Sequence, residues 1–173
     1  MKILITYLSQ TGNTGKVAQA IYEEASQRHE VESKKLEEVS AENLSGYDLL
    51  FIGSPIHVGN LSAAVKDFLG RLKTASDTKL AGFLTHSGKA YPDQVMSKFT
   101  DPFKVACEKN GLEYLGCFSC QGFLNPAIHE MVKKAQNLTD EQWAETVKQM
   151  TGHPDAEDLN KARAFAKEVL AKI

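Results

Sequence analysis

Apolar side chains recur along this chain with two different periods, and the way the two alternate sets the fold. Residues 3–8 form a short apolar run with no charge, the pattern of a strand buried on both faces, and the polar turn Ser9-Gln-Thr-Gly-Asn-Thr14 follows it. Val17, Ala18, Ile21, Tyr22 and Ala25 then fall three and four residues apart, which places them on one face of a helix. The pattern repeats. A weak strand is predicted over 31–36, a strongly apolar one over 48–53, a helix striped by Val65, Phe68, Leu69 and Leu72, and a fourth strand over 80–85. Residues 54–61 and 85–93 read as loops. Asp101-Pro102 reads as the N-cap and first position of a further helix, with Phe103, Ala106 and Cys107 inward and Gly111 just past its end.

A fifth strand is expected over 112–120, and three helical stretches after it. Asn125-Pro126 opens the first, the pair Thr139 and Gln142 forms a capping box at the second, and Asp155 caps the third, whose inward face is Leu159, Ala162, Ala166, Val169 and Leu170. No repeat, low-complexity tract or linker interrupts the chain, so residues 1–173 are expected to form one domain.

Strands that alternate with helices imply right-handed crossovers and a parallel sheet covered on both faces. In such sheets ligands bind beyond the carboxyl ends of the strands, where the strand order reverses. Loops 9–14, 54–61 and 85–93 should meet there. Each is rich in Ser, Thr, Gly, Asn or His, and none carries an acid before Asp93. Such a site suits an anion or a neutral planar ligand.

Composition narrows the classes of partner. With 173 residues, 42% hydrophobic, the chain can bury roughly 70% of the surface that its unfolded form exposes. Its 20 basic and 22 acidic side chains are spread evenly over both halves, which excludes a basic face for nucleic acid. No apolar run approaches the ~20 residues of a membrane span, and the first residues read as a strand rather than a secretory signal. Cys107, Cys117 and Cys120 are too few for a disulfide framework and fit a reducing, cytoplasmic setting. Cys117 and Cys120 lie on a predicted strand, where positions three apart face opposite ways, so they read as strand thiols rather than as a redox pair or zinc ligands.

The turn at 9–14 carries the most specific chemistry. Ser9, Thr11 and Thr14 offer hydroxyls, Asn13 an amide and Gly12 a close backbone approach, and the following helix adds free N–H groups at the positive end of its dipole. A phosphate dianion can be held this way without a cation. The nucleotide-hydrolase loop is excluded because position 10 is Gln and position 17 is Val, and the dinucleotide fingerprint because only Gly12 and Gly15 are present.

Ser9-Gln-Thr-Gly-Asn-Thr14, between a first strand and a helix, resembles in full the flavodoxin phosphate loop [ST]-x-T-G-x-T. The resemblance covers nearly the whole chain, with 123–152 as extra helical material before the final helix. It implies a doubly wound α/β fold of five parallel strands in the order 2-1-3-4-5, with FMN as cofactor. By this resemblance Ser9, Gln10, Thr11, Gly12, Asn13 and Thr14 would hold the FMN phosphate. Ser54, Pro55, Ile56, His57, Val58, Gly59 and Asn60 would belong to the loop over one flavin face, with Ile56, His57 and Val58 against the ring. Thr85, His86, Ser87, Gly88 and Tyr91 would pass the other side.

The G-S-P-x-x-x-G-N pattern of the second loop looks closer to flavodoxin-like NAD(P)H:quinone oxidoreductases than to carriers, which usually place a Trp there. Electron transfer between redox partner proteins is the first expectation. An FMN-dependent oxidoreductase acting on a quinone, NAD(P)H or a porphyrin-like substrate is the second, and a flavin-binding module without turnover the third.

Overall fold

The computed structural model describes residues 1–88 and 93–173. Among these residues six strands and six α-helices follow in chain order: β1 Lys2–Tyr7, α1 Asn13–Ala25, β2 Glu30–Lys35, β3 Leu49–His57, β4 Asn60–Leu61, α2 Ala63–Gly70, β5 Lys79–His86, α3 Asp93–Asn110, β6 Glu113–Gln121, α4 His129–Ala135, α5 Asp140–Met150 and α6 Ala156–Leu170. The sheet runs β2-β1-β3-β5-β6, every neighbouring pair parallel, with β4 paired only to β3. This is the expected doubly wound order once the short β4 is set aside.

Alternation within each strand divides the core in two. Leu4, Leu50, Ile52, Leu80 and Leu84 face α2 and α3, where they meet Val65, Phe68, Phe99 and Phe103. Ile3, Ile5, Leu49, Phe51 and Phe83 face α1 and α6, where they meet Val17, Ile21, Ala162 and Val169. Because β1, β3 and β5 are covered on both sides, they read as continuous apolar runs. β2 lies at an edge and is mostly exposed; Glu32 accepts ion pairs from Lys2 at 3.1 Å and Lys34 at 2.5 Å.

Two expected boundaries are corrected. The helix predicted from Asp101 begins at Asp93, with Pro102 inside it. Phe99 is fully buried and extends the stripe of Phe103 and Ala106 upstream, so packing of this face outweighs the one helical hydrogen bond that a proline cannot make. The far end is as expected: Gly111 has φ +68° and Leu112 N–H donates to the Cys107 carbonyl at 2.9 Å. The loop predicted over 54–61 is a hairpin. β3 continues to His57 and turns through Val58 and Gly59, both at positive φ (+48° and +68°), and Ile56 pairs with Leu61. Two central residues with positive φ make the tight turn whose twist suits a hairpin. A β-branched valine hides that turn in the sequence.

The excursion after β6 has the predicted caps. Asn125 Oδ1 accepts from Ala127 N–H at 3.0 Å, ahead of a short 3-10 turn over Pro126–Ile128. Thr139 and Gln142 close their capping box at 2.9 and 3.2 Å. Cys117 and Cys120 belong to opposite core clusters, and burial pushes both thiols up to about 12, so they stay protonated.

Candidate functional site

β1 ends at Tyr7, and within six residues the chain has entered α1, so the first turn of this helix stands at the carboxyl edge of the sheet. Gly12 is the N-cap, with φ +88°, a left-handed geometry that residues with a Cβ adopt at a cost. No side chain caps the helix from that position, and its first turn contains no acid. Ser9 Oγ accepts the Gly15 N–H at 3.1 Å. The N–H groups of Asn13 and Thr14, at the first two helical positions, have no partner within the helix and stand at the positive end of its dipole. Asn13 Nδ2 donates to Thr11 Oγ1 at 3.1 Å and to the Phe123 carbonyl at 2.8 Å. Thr14, 1% exposed, shares a hydrogen bond of 2.9 Å with the Thr85 hydroxyl, which joins the start of α1 to the end of β5.

A cleft of about 170 Å³ opens over these strand ends. Of the predicted residues it gathers Gln10, Thr11, Asn13, Thr14, Pro55, Ile56, His57, Thr85, His86 and Ser87. Ser9, Gly12, Ser54, Val58, Gly59, Asn60 and Gly88 stand outside its lining, and Tyr91 lies outside the described residues. Ser54 instead ties the fold together. Buried in β3, its Oγ accepts the Ser62 N–H at the start of α2 at 3.2 Å and donates to the Pro55 carbonyl at 2.8 Å. Val58, 95% exposed, stands at the tip of the hairpin.

A family model described as a flavodoxin domain matches residues 4–167. The chain belongs to the flavodoxin domain family. It is 36% identical over 93 residues to a flavodoxin of Aquifex aeolicus, a match that covers 50% of each chain. With the flavodoxin-like domain-containing protein BilS of Clostridioides difficile it shares 25% identity over 177 residues, covering 99% of this chain and 98% of the relative. Among solved structures, oxidised flavodoxin 2 from Bacillus cereus superposes with a TM-score of 0.70 at 23% identity, each chain covered in full, which shows a common fold.

In this flavodoxin-family chain the cleft has a wall that sequence reasoning missed, made by Gly122, Phe123, Leu124, Asn125 and Ile128. Its signal was available: the segment follows a parallel strand and therefore lies at the same sheet edge as the three loops already singled out. Its apolar side chains concealed it. His86 stands between this wall and Ser87. Burial lowers its pKa, against a smaller upward pull from the Gly88 carbonyl and from Asp158, so the imidazole is held neutral. Its Nδ1–H donates to that carbonyl at 2.8 Å.

Beyond His86 lies a larger cavity of about 590 Å³, reaching Cys120, Gln121 and the start of α6. His153, Asp155 and Asp158 bring three possible metal-ligand atoms within 4.8 Å of one another there. Both carboxylates already accept backbone N–H groups of the helix start, and a cation would face the positive end of the α6 dipole. Among the described residues no helix is long and apolar enough to cross a membrane.

Proposed function

We propose that the protein is an FMN-binding electron carrier. The observation that carries this reading is the start of α1: a glycine cap, no acid in the first turn and only the Gly15 N–H taken, by Ser9 Oγ, opening into the cleft that Ile56, His57, Thr85 and Ser87 also line. A phosphate monoester fits this donor set. Backbone N–H groups of Asn13 and Thr14 would hold its oxygens together with the hydroxyl of the exposed Thr11, as at other helix N-termini that bind anions. Membership of the family and the flavodoxin of Aquifex aeolicus among the relatives support the same reading.

Pro55, Ile56 and His57 would supply the face on which a planar ring rests, apolar at Ile56 to exclude water and polar at His57. Bound there, FMN supplies one- and two-electron chemistry. The neutral His86, tied to Gly88, keeps charge off that wall of the cleft. With a formal net charge of -2 the protein carries little overall charge to steer a partner, so association with redox partner proteins should depend only modestly on salt.

The test is binding to the flavin-free protein. Thr11→Ala removes a charge-assisted hydrogen bond worth about 1.5 kcal/mol or more, so FMN should bind roughly tenfold or more weakly. Riboflavin, which lacks the phosphate, should bind as before. Equal losses for both would refute the assignment of the phosphate. A carrier should be reduced by dithionite and not by NADH or NADPH alone; catalytic oxidation of either nucleotide by the isolated protein would replace this reading with an oxidoreductase.

A further inference from the structure

The excursion between β6 and α6 reaches into the cleft through Gly122–Asn125 and Ile128, and the first of these segments is pinned by several hydrogen bonds. Gly122 N–H donates to the His86 carbonyl at 2.8 Å, and Phe123 N–H to the His153 carbonyl at 3.0 Å. His129 Nε2–H donates to the Leu124 carbonyl at 3.0 Å. The His129 ring meets Phe123 edge-on at 5.6 Å on one side and Trp143 at 5.2 Å on the other, so a three-ring stack braces the segment from α4 and α5.

What the segment does next is specific. The Phe123 carbonyl takes one hydrogen of the Asn13 amide, and Thr11 Oγ1 takes the other. With its oxygen already accepting from Asn13, the Thr11 hydroxyl is left to donate its own hydrogen elsewhere. Gly122 is part of the joint: a Cβ there would lie 2.8 Å from Asn13 Nδ2 and 2.9 Å from its Cγ. No larger residue leaves Asn13 where it is.

We infer that Phe123, held by His129 and Trp143, is a positioning residue for phosphate: it fixes Asn13, and through Asn13 it orients the Thr11 hydroxyl as a donor before the ligand arrives. This inference rests on the reading of the cleft as an FMN site. The excursion then serves to preorganise an anion site in a cleft lined, among the described residues, by no Lys or Arg.

The experiment compares affinity for FMN and riboflavin in flavin-free wild type, His129→Ala, His129→Gln and Gly122→Ala, with the thermal midpoint of each recorded. In His129→Ala the preference for FMN over riboflavin should fall by roughly three- to tenfold, the scale of one well-placed hydrogen bond. His129→Gln, whose amide can again donate to the Leu124 carbonyl, should recover most of it. Gly122→Ala should lower the same preference by displacing Asn13 directly, and it decides the matter if His129→Ala fails to fold. Equal losses for both flavins, or an unchanged preference in Gly122→Ala, would overturn the inference. A wild type that prefers FMN while the variants keep that preference overturns the wall alone; a wild type that binds neither flavin overturns the site reading beneath it.

Discussion

Helices α1 and α6 pack against the same face of the sheet and begin side by side, with Thr11, Asn13 and Lys16 of one start lining a cavity of about 280 Å³ together with His153 of the other. Their first turns differ in almost every respect. α6 satisfies itself: Asp155 Oδ1 accepts the Asp158 N–H at 2.9 Å, Asp158 Oδ2 accepts the Asp155 N–H at 3.0 Å, and Glu157 adds a further acid. α1 has a glycine at the cap and no acid in its first turn. A cap of the α6 kind contributes about 1 kcal/mol to stability. The α1 start, with only its Gly15 N–H taken by Ser9, leaves the N–H groups of Asn13 and Thr14 for the proposed phosphate, so on this reading stability and binding are allotted to different helices.

The largest effect should come from giving α1 the charge that α6 has. Asn13→Asp places a carboxylate beside the proposed phosphate position, at Thr11, and removes the amide that bonds the Phe123 carbonyl. FMN affinity should fall roughly a hundredfold, about 2.7 kcal/mol, whereas riboflavin affinity should change far less, as isothermal titration of both ligands would show. The reciprocal change is smaller. Asp155→Ala should cost about 1 kcal/mol of folding stability in denaturant titrations and leave FMN affinity unaltered. Loss of FMN affinity in this variant would break the division of labour between the two helices.

His86 stands between the two starts, and its titration sharpens the comparison further. Its pKa is lowered from the ordinary value of 6.5, chiefly by burial, so the unfolded chain takes up its proton before the folded one. This residue's share of stability is therefore complete above pH 6.5 and is lost as pH falls below that value towards the folded pKa. Chemical denaturation at about pH 7.5 and about pH 5.5 should show the loss in wild type, and His86→Asn should reduce it. The smallest effect tests whether the carboxylates of α6 are felt in the cleft. Asp158 pulls the His86 pKa upward, so Asp158→Asn should lower it further, a shift that histidine NMR titration can follow.

The fold was legible because β1, β3 and β5 alternate their apolar residues between two complete layers while α1, α2, α3 and α6 each stripe a single face, which leaves little freedom of register or order. The turn at 9–14 and its place at the start of α1 were legible for a related reason: its side chains are polar, in a stretch too short for any other element. The rest was concealed where packing and backbone geometry act against local signals. Pro102 reads as a helix start, yet the buried Phe99 carries the helix past it. Val58 occupies a positive-φ position that sequence patterns assign to Asn or Gly, so the β3–β4 hairpin reads as a loop. Phe123 is joined to Asn13 through its carbonyl oxygen, a contact that no residue type advertises.

The exposed strand β2 has a consequence for how the protein behaves in a crowded solution. Its outer edge offers unpaired peptide groups, the kind of template on which a second chain can add a strand and begin fibre growth. Here that template is the sequence Glu30-Val-Glu-Ser-Lys-Lys35, in which both signs of charge crowd the edge, and Glu32 is fixed by Lys2, Lys34 and the Tyr47 hydroxyl. A chain adding alongside would have to strip water from these charges. This edge therefore disfavours strand addition by desolvation rather than by bulk.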